Sequence, residues 1–153
     1  MKRKKLGIFV SDLFASQLSF YSMCLGNKIS KQNIDYAIFF ENLSHTPIQH
    51  SFSLMNIVYG YSWNGTAIAT NLSTAQKLIK CPGPKRKIYY IWDLEWLRYN
   101  PKLPYEFLAS IYQHPSLELV VRSYSHKKII ENAWNREVKD VVSDFEFGVD
   151  YGT

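Results

Sequence analysis

The chain of 153 residues is 46% hydrophobic and 20% charged, and its net charge is +5. This composition excludes a disordered polar chain, and no apolar run approaches the roughly 20 residues needed to span a bilayer. The apolar run 6–10, which follows the basic segment 2–5, is too short for the core of a signal peptide. We therefore predict one domain over 1–153 that is cytoplasmic and has no membrane span.

The predicted elements alternate between strand and helix from the N-terminus onward. Residues 6–10 predict a first strand. Residues 11–27 predict a helix that Ser11 or Asp12 caps and that Gly26 ends.

The apolar run at 34–42 is continuous enough for a strand that is covered on both faces. After it we predict a short strand near Phe52, a helix over 56–62 and a strand at 65–71. In the following helix Ser73 and Gln76 match a capping box, and the Pro-Gly-Pro sequence at 82–84 stops it.

The last part of the chain continues the alternation. Three further strands are predicted, at 88–92, 117–123 and 138–145, with two helices, at 104–113 and 125–136. Strands that alternate with helices need crossover connections. We therefore predict an α/β fold: a single Rossmann-like three-layer domain with a mainly parallel sheet of about six strands and helices on both faces.

In such sheets ligands bind at the carboxyl ends of the strands, near a switch in strand order. The polar residues at these predicted ends are Ser11, Asp12, Glu41, Thr70, Asn71, Asp93, Glu95, Arg122 and Ser123. The sequence has no Gly-rich dinucleotide motif, P-loop, nucleophile elbow or His-Glu-x-x-His motif. Four histidines, at 45, 50, 114 and 126, are scattered along the chain, and no pair of them has the spacing of metal ligands on a helix.

A family resemblance appears at the strand predicted for 88–92. The sequence IYYIWDLEWL resembles a segment of a group of GT-B glycosyltransferases, in which an aromatic strand ends in a Gln-Asp-x-Glu-Pro-like sequence. Trp92 stands at the Gln position, Asp93 at the Asp, Glu95 at the Glu and Trp96 at the Pro. The segments LVVRSYSHKKIIENAWN and DFEFGVDYGT resemble the family's next strand and helix and a later turn, whereas the glycines usual after the first strand are absent.

The resemblance implies the N-terminal, acceptor-side half-domain of a GT-B enzyme. Such enzymes bind a nucleotide-sugar donor in a second half, for which 153 residues leave no room. Either a separate chain supplies that donor-binding domain, or this is a fragment of a longer protein, or the half-domain serves another purpose. We expect sugar transfer to a hydroxyl only with a donor half, no turnover by this chain alone, and no cofactor. Because GT-B enzymes are typically metal-independent, the resemblance also implies no metal.

The carboxylates after the strand at 88–92 carry the predicted chemistry. Asp93 is the candidate general base or hydroxyl-binding group, with capping of the turn at Leu94 as the alternative. Glu95 is a candidate substrate-binding residue, and its alternative is a surface pair with Arg98. Asp12, Thr70 and Asn71 are further candidates for contacting the acceptor. For Thr70 and Asn71, the alternative is that they only form the start of a helix.

Aromatic and cationic residues complete the predicted site. Trp92, Trp96 and Tyr99 could form a platform on which a sugar or base stacks, with core packing as the alternative. Three further side chains lie near the N-terminus of a predicted helix: Arg122, Ser123 and His126. This helix N-terminus would attract phosphate, and the alternative is that a serine there only caps the helix.

Two other functions remain open at this point. The basic groups 2–5, 85–87 and 127–128 favour a binding or regulatory module for a nucleotide, a sugar or nucleic acid, unless they are only solvated ends and turns. Alternatively, exposed aromatic residues form the interface of a homo-oligomer.

Overall fold

A computed structural model describes residues 2–44, 48–98 and 101–153. Its one sheet has seven strands in the order β3-β2-β1-β4-β5-β6-β7, and every neighbouring pair is parallel. The strands are β1 (Lys4–Leu13), β2 (Ile34–Leu43), β3 (Ser53–Asn56), β4 (Thr66–Ala69), β5 (Arg86–Ile91), β6 (Leu117–Val121) and β7 (Asp140–Val141). The predicted α/β class with a parallel sheet is confirmed, and the strand number is seven rather than six.

Four α-helices flank the sheet: α1 (Gln17–Ile29), α2 (Leu72–Lys80), α3 (Tyr105–Tyr112) and α4 (Tyr124–Trp134). Short 3₁₀ segments lie at Ser30–Gln32, Ile57–Ser62, Glu95–Leu97, Ser143–Phe145 and Val149–Tyr151. Within the described ranges, no helix has the length and apolar character that crossing a membrane requires.

The alternation of side chains along the strands divides the core into two layers. In β1, Leu6, Ile8 and Val10 pack on the α1 side together with the C-terminal residues Phe145 and Phe147. Phe9 points to the opposite layer, which α2, α3 and α4 cover. Because both faces of every central strand are buried, these strands read as continuous apolar runs in the sequence.

The first helix begins later than the sequence predicts. β1 continues through Asp12 to Leu13, since these residues pair with the end of β2, and Ser16 rather than Ser11 or Asp12 caps α1. Gly26 lies inside the helix, which ends at Ile29. A Cβ on Gly26 would approach the Phe52 ring to 2.3 Å, so this glycine permits close packing and does not end the helix.

The cap of α2 also differs from the sequence analysis, whereas the cap of α4 agrees with one of its alternatives. The capping box of α2 uses Asn71 and Thr74 instead of Ser73 and Gln76. The short strand β4 ends at Ala69, so the helix begins as soon as the chain leaves the sheet. α4 is capped by Ser123, whose hydroxyl accepts a hydrogen bond from the His126 amide.

The strand order places a switch point between β1 and β4. The chain leaves β1 toward α1 on one face, and it leaves β4 toward α2 on the other face. Adjacent strands whose connections diverge in this way open a crevice at their carboxyl ends, where ligands bind in open α/β sheets. This switch point lies at the edge of the sheet for which the sequence predicts the candidate residues.

Candidate functional site

Hydrogen bonds join the carboxyl ends of β1 and β4 at the base of the crevice. The Asn71 side-chain amide donates to the Ser11 hydroxyl at 2.8 Å. The Thr70 hydroxyl, only 3% exposed, donates to the backbone oxygen of Phe9, also at 2.8 Å. Thr70 and Asn71 therefore lie at the predicted edge, where their polar atoms join the two strands and begin α2.

Asp12 lies further along the same edge, beside the end of β2. Its carboxylate accepts a hydrogen bond from the Asn42 amide at 3.1 Å, and the side chain is exposed. Glu41, one residue earlier on β2, forms an ion pair with Lys77 of α2. The β2 side of the crevice therefore holds carboxylates that already have partners within the protein.

Glu95 is a buried carboxylate that connects the β5 loop to α2. The residue is 6% exposed, and its Oε2 accepts a hydrogen bond from the Leu72 amide at 3.1 Å. Burial raises the pKa of Glu95, and the nearby Asp93 charge raises it further, while the Leu72 hydrogen bond and Arg98 oppose the rise. The alternative of a surface pair with Arg98 is wrong, because the Arg98 partner is Asp93.

Asp93 is the exposed carboxylate at the end of β5. Its Oδ2 lies 3.2 Å from Nε of Arg98, and both side chains are about half exposed or more, at 47% and 65%. The alternative of a turn cap is wrong, since the 3₁₀ turn at Glu95–Leu97 has no side-chain cap. An ion pair this exposed is weak, so the Asp93 carboxylate remains accessible to a ligand.

His126 lies at the first turn of α4, within the electrostatic influence of Asp93. Burial and the Arg122 charge lower the pKa of His126, whereas the Asp93 charge opposes them. The Ser123 hydroxyl lies 3.1 Å from Nδ1 of His126. The predicted residues that follow β5 and β6 therefore lie at one edge of the sheet, where the Asp93 charge acts on the His126 imidazole.

The guanidinium of Arg122, at the end of β6, lies over the ring of Trp92. Its Cζ is 3.8 Å from the Trp92 ring centroid, and its Nη2 is 3.6 Å from the Asp144 carboxylate. Trp92 also contacts Tyr21 of α1, with the ring centroids 5.7 Å apart. Stacking and ion pairing together fix the guanidinium, which is 30% exposed, at the rim of the crevice.

The proposed platform of three aromatic residues does not form. Trp92 packs in the α1 layer, whereas Trp96 packs edge-on against Tyr112 and Trp134 in the opposite layer. Tyr99 lies outside the described residues. Trp96 is therefore a half-buried core contact, and Trp92 is the aromatic side chain that stands beside Arg122.

A left-handed turn that sequence reasoning missed supports this rim. The last strand of the sheet lies within the predicted segment 138–145 but is shorter than predicted, because β7 ends at Val141 and the chain then turns, with φ of 46° at Asp144 and 62° at Phe145. A positive φ at a bulky residue costs roughly 1–2 kcal/mol. Burial of Phe145 against Tyr90 and Trp92, at 4.8 and 5.2 Å between ring centroids, offsets that cost.

The described residues contain no group of three or more His, Cys, Asp or Glu side chains that could hold a metal ion. His45, one of the four histidines in the sequence, lies outside the described residues.

Comparisons with known proteins leave the GT-B resemblance as a prediction. No family model matches the chain, and neither the curated proteins nor the solved structures include a significant match to it.

Proposed function

We propose that the carboxyl edge of the sheet binds a hydroxyl-rich ligand such as a sugar, as the acceptor-side half of a GT-B-like glycosyltransferase. The observation that carries this proposal is the placement of Asp93. Its carboxylate is exposed at the end of a central strand, caps no turn, and acts electrostatically on both Glu95 and His126.

Each of these residues has a distinct role in the proposal. Asp93 accepts a hydrogen bond from the acceptor hydroxyl, and in the complete enzyme it takes the hydroxyl proton. Glu95 holds the β5 loop against α2, and the neutral ring of His126 offers a further hydrogen-bonding nitrogen. These positions require a parallel sheet, since only parallel strands bring the ends of β5 and β6 to one edge.

The transfer step requires a second half that binds the donor. There the acceptor oxygen bonds to the anomeric carbon, the bond from that carbon to the donor phosphate oxygen breaks, and the nucleoside diphosphate leaves. This chain would supply the acceptor and the base. Alone, it should bind sugar weakly without turnover, and a nucleotide sugar such as UDP-glucose should not raise its melting temperature.

The test is an NMR titration of ¹⁵N-labelled protein with glucose, galactose and N-acetylglucosamine. We expect saturable shifts of the amides of Asp93, Glu95 and His126. Asp93→Asn should weaken binding by about tenfold, because a hydrogen bond to a charged group contributes roughly 1.5–3 kcal/mol.

Asp150→Asn is the matched control, since it makes the same chemical change at an exposed residue near the C-terminus, next to Tyr151 at the other edge of the sheet. It should leave sugar binding unchanged. Shifts confined to other surfaces, or equal effects of the two variants, would contradict the proposal.

A second function of the same edge, binding of a phosphate-bearing ligand without catalysis, is favoured by one observation. Arg122 is held beside the N-terminus of α4, where free amide groups attract anions. Titration with uridine diphosphate separates the two functions. Shifts at Ser123 and His126 with the nucleotide, and none with sugars, would favour the binding module.

A further inference from the structure

The opposite, amino edge of the sheet carries a cluster of basic side chains that the proposed function does not use. A cavity of about 120 Å³ there is lined by Lys2, Arg3, Lys4, Lys5, Asn64, Lys85 and Thr153. A neighbouring cavity of about 160 Å³ shares Lys2, Arg3 and Lys4. We call the surface formed by the residues of the first cavity the basic groove.

The strand order gives this groove its shape. β4 lies between β1 and β5, so the starts of β1 and β5 are separated by two strand spacings, roughly 10 Å. Lys4 and Lys5 stand on one side of the start of β4, and Lys85 stands on the other. A Cβ on Gly65, which precedes β4, would lie 2.4 Å from Cβ of Lys5, so this glycine permits the close approach of the chains.

Most of the cations in the groove lack an acidic partner. Arg3 lies 3.4 Å from Asp35 in an exposed pair. Across the described ranges, Lys2, Lys4, Lys5 and Lys85 form no ion pair. The Nζ of Lys5 also lies 5.3 Å from the centroid of the Trp63 ring. Cationic side chains without ion-pair partners repel one another, and a polyanion that neutralises them gains affinity by releasing its condensed counterions.

We propose that the basic groove binds the phosphodiester backbone of single-stranded nucleic acid without sequence preference. A chain with one charge per nucleotide can place successive phosphates against the cations on both walls. Stable attachment to a membrane usually adds apolar insertion to charge. The exposed large apolar side chains among the described residues include none that lines the groove, which favours nucleic acid over a lipid surface.

The test is fluorescence anisotropy of a labelled oligothymidylate of about 20 nucleotides, titrated with the full chain at several NaCl concentrations. If four phosphates are neutralised, the logarithm of the affinity should fall against the logarithm of salt concentration with a slope of about −3. Absence of binding, or an affinity that does not change with salt, would overturn the proposal.

Charge-reversal variants locate the binding surface. Lys4→Glu with Lys85→Glu should reduce affinity by about tenfold or more, and the milder pair Lys4→Gln with Lys85→Gln should reduce it less. Lys102→Glu with Lys128→Glu is the matched control, because both lysines are exposed, outside the groove, and the change in net charge is equal. Equal losses for the two reversed pairs would show a general charge effect and overturn the assignment to the groove.

Two further measurements distinguish nucleic-acid binding by the groove from membrane binding and from the proposed sugar site. Vesicles of phosphatidylcholine with about 30% phosphatidylserine should bind more weakly than the oligonucleotide, and binding of vesicles alone would overturn the proposal. Asp93→Asn should leave oligonucleotide binding unchanged, because Asp93 lies at the other edge of the sheet. Failure of the sugar-binding proposal and failure of this one are therefore distinguishable.

Discussion

At the carboxyl edge of the sheet three cations pair with acidic residues, whereas at the amino edge several cations form no ion pair with a described residue. Arg98 pairs with Asp93, Arg122 with Asp144, and Lys77 with Glu41. In the basic groove, Lys4 and Lys85 form no ion pair with any described residue. The carboxyl edge thus carries several paired charges, and the basic groove at the amino edge carries several cations without ion pairs.

The difference follows from the direction of the strands. In a parallel sheet all carboxyl ends meet at one edge, where helices also begin and where loops position polar side chains. Strand starts meet at the opposite edge, where the connections from the preceding helices arrive, and cations such as Lys4 and Lys85 are exposed there. Fixed groups suit the selection of a small neutral ligand, whereas an open cationic surface suits a long anion.

The largest expected effect comes from removing the aromatic support of the carboxyl edge. Tyr90 is fully buried, packs on Phe145 and Phe147, and donates a hydrogen bond to the Val142 backbone oxygen. Tyr90→Ala should lower the free energy of unfolding by about 3–5 kcal/mol, because it leaves a large cavity. Urea denaturation measures this loss.

Tyr90→Phe keeps the ring and should lose only about 1–3 kcal/mol, the cost of leaving the Val142 oxygen without that partner. At the amino edge, the exposed and unpaired Lys85 can change to Gln with an effect within about 0.5 kcal/mol. A loss at Lys85 as large as the loss at Tyr90 would contradict the contrast between a packed edge and an open one.

A smaller, pH-dependent effect is expected at Glu95. Burial raises its pKa above the ordinary value of 4.5, so the folded protein binds this proton more tightly than the unfolded chain does. The resulting stabilisation is complete below pH 4.5 and is lost as the pH rises through the raised pKa. Glu95→Gln keeps an oxygen for the Leu72 amide but cannot ionise.

The variant should therefore become more stable relative to the wild type as the pH rises from 4.5 toward neutrality. Thermal unfolding of both proteins across this range measures the difference. A wild type that gains stability relative to Glu95→Gln over the same range would show that the carboxylate is held in its charged form.

The sequence predicted the fold better than it predicted the details of the site. Apolar runs and their alternation with helical segments were enough for a parallel sheet, because strands buried on both faces leave a strong pattern. The edge carrying Asp93, Glu95 and His126 followed from strand direction alone. The cap of α1 was wrong because pairing of Asp12 and Leu13 with β2 extends the strand, and that pairing is a long-range contact.

Other features depended on geometry that a sequence pattern does not carry. Trp92 and Trp96 fall on opposite faces because the chain leaves the sheet after Ile91 and turns at Leu94, which breaks the alternation of side chains. The basic groove joins Lys4 to Lys85, which are distant in sequence and meet only because β4 lies between β1 and β5. The turn at Asp144 gave no local pattern that distinguishes it from a strand.

The most direct test of the account is the pKa of His126, measured from the ring-proton shifts in an NMR pH titration. Asp93 lies at the same edge of the sheet and its charge raises the pKa of His126, so this pKa should lie below 6.5 and should fall further in Asp93→Asn, where the opposing negative charge is lost. Arg122→Gln should raise it. A His126 pKa that does not respond to Asp93→Asn would show that the two side chains do not share a site.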